Sequence, residues 1–152
     1  MNLAHSLVGH WSSLPFSYGV MEASELGLLG DGRGWSSWFN FEALCVTRLV
    51  WRCPEPGIVE LRAQWIVEGT LVDGPGPPAF SRVESTTQVD DVTRHRFVIE
   101  PAAPLPGADA VPALTFDEAV EFCHQYARRP GQIRPEDDPS HHLLDTAREA
   151  QP

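Results

Sequence analysis

Apolar and polar residues alternate along most of the first hundred positions, and the clearest example is the segment 58–69. Apolar side chains fall there at every second position, with charged and amide side chains between them. This period of two is typical of a strand with one buried face. The apolar set, which we predict to face the interior, is Val59, Leu61, Ala63, Trp65 and Val67.

Similar stretches predict six further strands, at 8–14, 20–29, 34–42, 43–53, 79–89 and 92–100. Turn residues separate them, including Gly30-Asp31-Gly32 and a predicted turn at Asp90-Asp91. Segment 43–53 is apolar on both faces, so it is either covered on both sides or bulged near Thr47-Arg48 in a way that switches its faces. The short connections favour an antiparallel meander.

Segment 115–128 has a helical pattern instead. Thr115 and Glu118 match a capping box, and apolar positions recur at helical spacing from Phe116 to Ala127. Pro130-Gly131 would end such a helix. The sequence therefore predicts one C-terminal α-helix at 115–128, packed on the sheet.

The length of 152 residues fits one domain. We assign residues 1–130 to a single β-barrel domain and 131–152 to a polar tail. That tail is predicted to be partly disordered or to form a short helix from Ser140 to Ala150.

The charge and the cysteine content limit the possible binding partners and the expected cellular compartment. Acidic residues outnumber basic ones by 21 to 11, giving a net charge of −10, which argues against nucleic acids and anionic membranes. No apolar run reaches the roughly 18 residues of a membrane span, and the N-terminal segment lacks the features of a secretory signal. The three cysteines are odd in number, which favours free thiols and a cytoplasmic location. Whether the protein forms a homodimer is left open.

Metal and cofactor chemistry finds little support in the sequence. His141-His142, with His124, gives the one histidine pattern of note, but no acidic residue lies at a suitable spacing. There is no phosphate loop and no nucleophile elbow. We predict no metal site and no cofactor.

Gly9-His10-Trp11, on the opening strand, resembles the Gly-x-Trp motif of lipocalins and related calycin barrels. In that family the tryptophan closes the bottom of the barrel, and an arginine late in the last strand packs across it. The resemblance implies this role for Arg94 or Arg96, and a helix after the last strand. The predicted fold is thus mainly β: an antiparallel meander forming a calycin-like barrel of about seven or eight strands, with one C-terminal helix packed on it.

Aromatic residues supply the candidate binding site. Trp35, Phe39 and Trp65 can share one side of the sheet, where the small Ala63 leaves space. His95 and Phe97, on the last predicted strand, would complete an apolar chamber with one titratable group. The predicted ligand-binding residues are Trp35, Phe39, Ala63, Trp65, His95 and Phe97.

Three functions fit these predictions. The first is an intracellular lipocalin-like barrel that binds a small hydrophobic molecule. The second is an isomerase, cyclase or dehydratase on the same barrel, with acid–base groups drawn from Glu22, Glu25, Glu42 and His95. The third is a protein-interaction module with a filled core. An inward His95 beside an inward glutamate would favour chemistry, and a solid interior would favour the interaction module.

Overall fold

The protein folds into eight antiparallel strands that follow one another around a closed barrel. The computed structural model describes residues 5–16 and 22–143. The strands are β1 (Gly9–Ser12), β2 (Ala23–Leu28), β3 (Arg33–Phe39), β4 (Ala43–Glu55), β5 (Ile58–Leu71), β6 (Phe80–Ala102), β7 (Val111–Val120) and β8 (Cys123–Arg128). Short 3-10 turns cover His5–Leu7, Leu14–Phe16 and Pro135–Asp137. The predicted antiparallel meander is confirmed.

The barrel closes where the first strand meets the last. Trp11 pairs with Arg128 in the ladder between β1 and β8, and its side chain is fully buried. The Arg128 guanidinium lies 4.2 Å from the centre of the Trp11 ring and donates a 2.8 Å hydrogen bond to the Val8 carbonyl. The Trp11 indole N–H donates to the Leu7 carbonyl at 3.0 Å. The arginine over the tryptophan is therefore Arg128, and the assignment to Arg94 or Arg96 is wrong.

The predicted helix at 115–128 is wrong, because this segment forms β7, β8 and the turn between them. Glu121 and Phe122 make that turn with positive φ angles of 52° and 74°. Neither is glycine or asparagine, so the sequence carries no ordinary signal for a two-residue hairpin turn. β7 pairs with β6 and β8 pairs with β1, and this pairing on both sides outweighs the local helical pattern.

β6 is one continuous strand where the sequence predicted two strands and a turn at Asp90-Asp91. Relative to β5 it contains extra residues at three register shifts, one of them beside Asp91. Its segment 97–102 pairs with β7, whereas 80–96 has only β5 as a ladder neighbour in the described part of the chain. This leaves an opening between β6 and the β7–β8 hairpin.

A bulge in β5 exchanges the inward and outward faces of the strand in its second half. Ala63 pairs with Leu49 of β4, but Trp65 pairs with Arg48, so Gln64 is the extra residue. Paired residues share a face, and a one-residue slip exchanges the two faces. Trp65 and Val67 therefore face outward, contrary to the prediction. β4 is itself covered on both sides, which was one of its two predicted alternatives.

Two hydrophobic clusters cover these two faces. The barrel interior holds the larger one, which contains Trp11, Trp51, Leu114 and Tyr126 among others. The smaller one lies on the outer face and is built from Leu29, Trp35, Leu44 and Val46, with Ile133 of the C-terminal segment packed against it. Gly27 lets the Trp35 ring cross β2 closely, since a Cβ there would lie 2.3 Å from the ring.

The C-terminal segment is not a free polar tail over the residues that are described. Arg48 on the barrel wall and Asp138 form an ion pair at 3.0 Å, and both side chains are largely buried. Asp138 also accepts hydrogen bonds from the backbone and side chain of Ser140. Residues 141–143 are helical, and the rest of the predicted helix lies outside the described residues. No helix in the described ranges is long and apolar enough to cross a membrane.

We expect Trp11→Ala to lower the free energy of unfolding by about 3–5 kcal/mol, because it leaves a cavity and removes the cation–π contact. Trp65→Ala is the matched control, since Trp65 is only half-buried on the outer face. Urea unfolding of the two variants measures the difference. Equal losses for both would show that Trp11 has no special role in closing the barrel.

Candidate functional site

A cavity of about 210 Å³ lies inside the barrel, beside the tip of the β7–β8 hairpin. Strands β3 to β7 and the hairpin turn all contribute to its wall. The lining residues are Ser36, Thr47, Leu49, Leu61, Ala63, Asp91, Thr93, His95, Ala119, Val120 and Glu121. The exposed residues Asp91 and Thr93 place this cavity at the opening beside β6.

Two of the six predicted binding residues, Ala63 and His95, line this cavity. Phe97 pairs with Phe116 and packs against the interior cluster, outside the cavity lining. Trp35, Phe39 and Trp65 do not line the cavity, so the predicted chamber is wrong in these members. Trp35 and Phe39 belong to the outer cluster, and the Gln64 bulge turns Trp65 to the outer face.

His95 is a buried histidine with incomplete hydrogen bonding. Its Nε2 lies 3.0 Å from the Thr93 hydroxyl oxygen, and its ring meets Phe116 edge to face. Its Nδ1 is buried and has no hydrogen-bond partner. Burial lowers the pKa of His95, which favours the neutral imidazole. A neutral imidazole can accept one proton and donate another.

Glu121 is the functional group that the sequence did not reveal. The Ser36 hydroxyl donates to its Oε1 at 2.7 Å, and the Thr47 hydroxyl lies 3.4 Å from the same oxygen. Burial raises the pKa of this carboxyl, with the two hydroxyls acting in the opposite direction. The sequence placed Glu121 within a predicted helix. It gave no sign of the β7–β8 turn that directs this side chain into the cavity.

Contacts on three sides hold the hairpin tip at the barrel mouth. The Ser24 hydroxyl donates to the Glu121 carbonyl, and the Tyr126 hydroxyl donates to the Val120 carbonyl. Phe122 meets the edge of Trp38, with ring centres 6.2 Å apart. These contacts offset the strain of two consecutive left-handed residues, each of which costs about 1–3 kcal/mol. Strain of this kind is typical of functional sites.

The glutamates proposed from the sequence as acid–base groups do not share the cavity with His95. Glu25 lies 3.0 Å from His10 and 3.3 Å from Arg129. Glu22 accepts a 3.3 Å hydrogen bond from the Trp38 indole. Glu42 is likewise absent from the cavity lining.

A wider groove of about 380 Å³ runs along the outer face, between Phe39 and the glycine- and proline-rich loop at 74–78. Its charged side chains are Glu25 and Arg129, which already form an ion pair. Because its charges are matched internally, this groove has less to offer a polar ligand than the cavity at the barrel mouth.

Cys45, which lies near Glu121, is not activated as a nucleophile. All three cysteines are free, and burial together with the nearby carboxylates of Glu121 and Glu68 raises the pKa of Cys45 to about 12. A thiol held protonated in this way is a poor nucleophile. Within residues 5–16 and 22–143, no three potential metal ligands come together.

Comparison with known proteins does not assign the chain to a family. No family model, curated protein or solved structure matches it.

We expect Glu121→Gln to stabilise the protein more at neutral pH than at acidic pH. Because the pKa of Glu121 is raised in the folded state, its protonated form favours folding below the ordinary value of 4.5, and this contribution is lost as pH rises through the folded pKa. The Cys45 thiol and the Tyr126 hydroxyl lie near Glu121 and stay protonated, because their pKa values are also raised. The other carboxylate near Cys45 is that of Glu68.

Urea unfolding across mildly acidic to neutral pH checks this expectation. Glu118→Gln is the control, since it removes an exposed carboxylate from the same hairpin. A stability difference between Glu121→Gln and wild type that is constant with pH would contradict the raised pKa.

Proposed function

We propose that the protein binds a small, largely apolar molecule with one polar group at the mouth of the barrel. The observation that supports this most directly is the composition of the cavity wall. Leu49, Leu61, Ala63 and Val120 provide an apolar surface, and His95 and Glu121 provide hydrogen-bonding groups. Ligand sites commonly combine a mostly apolar wall with a few polar groups that orient the ligand.

The size of the cavity limits the ligand. About 210 Å³ suits a molecule of roughly ten non-hydrogen atoms, which is smaller than the ligands of most deep barrels. Removing apolar surface from water at about 25 cal/mol per Å² would supply most of the affinity. The lower part of the barrel interior is filled by the main hydrophobic cluster, which leaves the mouth as the place for a ligand.

Similarity to lipocalins remains part of this proposal. The Trp11–Arg128 contact has the form that the Gly-x-Trp resemblance implies, with the arginine on the last strand. The free cysteines fit the proposed cytoplasmic location. A protein-interaction role, by contrast, gives no reason for an open cavity that contains a half-buried carboxyl and a buried histidine.

We expect the wild-type protein to bind phenethyl alcohol at millimolar concentration, and Ala63→Phe to abolish this binding by filling the cavity. Ala119→Phe is a second blocking variant, chosen because Ala119 is exposed at the rim and its substitution spares the core. Two-dimensional NMR titration measures binding and also shows whether each variant is folded.

Phe39→Ala is the control for this experiment, because Phe39 belongs to the outer cluster and should not affect binding. If a folded Ala119→Phe variant bound the alcohol as well as wild type does, the ligand site would not be this cavity. If wild type bound neither this alcohol nor the corresponding amine, the binding function itself would fail.

Acid–base catalysis is the second candidate function, and it is supported by the presence of His95 and Glu121 in one cavity. For a carbonyl compound, neutral His95 would accept a proton from the carbon next to the carbonyl group. The raised pKa of Glu121 increases the fraction of this group that is protonated. In that form Glu121 would donate its proton to the carbonyl oxygen, which yields a neutral enol, an imidazolium and a carboxylate. Return of the proton from His95 to a different carbon or face of the enol, with the enol proton going back to Glu121, would complete an isomerisation.

We expect the protein to speed the exchange of the α-hydrogens of cyclohexanone in heavy water, as followed by NMR. His95→Gln should remove the acceleration, and Glu100→Gln, at an exposed position that does not act on His95, should keep it. Exchange no faster than in buffer alone, or acceleration unchanged in His95→Gln, would exclude this candidate.

A further inference from the structure

The charges that line the barrel-mouth cavity are of one sign. Among the described residues, Glu121 and Asp91 are the two carboxylates of its wall, and no arginine belongs to that lining. The chain contains no lysine, so its fixed cations are all arginines. His95 is the single basic group of the lining, and burial favours its neutral form. An apolar cavity with these walls attracts positive charge.

The carboxylates that are buried within the described residues have cationic partners. Glu25 lies beside His10 and Arg129, and Asp138 is paired with Arg48. Glu60 is held between Arg52 and Arg94, at 2.5 Å and 3.0 Å.

Glu121 departs from this pattern. Its side-chain contacts in the described part of the chain are the hydroxyls of Ser36 and Thr47, both directed at Oε1. Two hydroxyl donors orient a carboxylate but do not balance its charge. Glu121 is half-buried. A carboxylate that is partly removed from water without a counter-charge carries a desolvation cost, and a cation brought by a ligand would lower that cost.

The second polar group of the cavity is also incompletely satisfied. His95 is 8% exposed and its Nδ1 has no hydrogen-bond partner. In the tautomer whose Nε2–H donates to Thr93, the free Nδ1 of His95 is an acceptor. With the carboxylate of Glu121, it makes the wall suited to a ligand that brings hydrogen-bond donors. A protonated amine brings three such donors together with the missing positive charge.

We propose that the ligand of the barrel-mouth cavity is a small apolar molecule that carries a protonated amine, and that Glu121 binds the ammonium group. This inference rests on the proposed binding function and specifies the chemical class of its ligand. Ser36 and Thr47 act as positioning residues that hold the carboxylate toward the cavity.

The test compares phenethylamine with phenethyl alcohol, which have the same ring and chain length and differ in the charged nitrogen. We expect wild-type protein to bind the amine at least tenfold more tightly, as measured by NMR titration at neutral pH. Hydrogen bonds between charged groups are about twice as strong as neutral ones, which accounts for a preference of this size. Glu121→Gln should remove the preference while still binding the alcohol.

Glu118→Gln is the matched control, because it removes the same charge from an exposed position three residues away and should keep the amine preference. If wild type binds both compounds equally, or if Glu121→Gln keeps the preference, the amine proposal is overturned and the binding function stands. If wild type binds neither compound, both proposals fail. The wild-type comparison needs no variant, so it decides the question even if Glu121→Gln does not fold.

Discussion

The contact between Arg128 and Trp11 is the interaction on which the rest of the barrel depends. β1 has four residues and pairs with β8 over two positions, so its backbone ladder alone is a weak closure. The guanidinium of half-buried Arg128 lies over the buried indole and adds a cation–π contact worth about 0.5–2 kcal/mol. Its hydrogen bond to Val8 fixes the chain that leads into β1. Because closure sets where β8 lies, it also sets where the β7–β8 hairpin points.

The candidate site follows from that hairpin. Its tip leaves the ladder with β6 and bends over the barrel mouth, where Glu121 reaches the hydroxyls of Ser36 and Thr47. Residues 121 and 122 are both left-handed although neither is glycine, which is locally unfavourable. The contacts with Ser24, Trp38 and Tyr126 offset this cost. Disagreement of this kind between local preference and global fold is expected where a protein places a functional group.

Much of the barrel was predictable from period-two alternation, which located the first five strands and the inward Ala63. His95 was predictable because it shares a face with the apolar residues of its strand. Trp65 was placed on the wrong side since a single bulged residue, Gln64, leaves no mark in composition. Segment 115–128 has apolar residues at helical spacing, and the pairing of β7 with β6 and of β8 with β1 overrides that local pattern. The position of Glu121 depends on the turn between β7 and β8, so it could not be predicted from the sequence.

The opening beside β6 also affects how the protein behaves in a crowded solution. Over residues 80–96 one edge of this strand has no ladder partner in the described chain, so its backbone amide and carbonyl groups could template a strand from another molecule. The three register shifts bend and twist that edge, and Asp90, Asp91 and Arg94 add charge to it. Resistance to aggregation at this edge thus rests on irregularity and charge, and salt that screens the charge weakens one of those two protections.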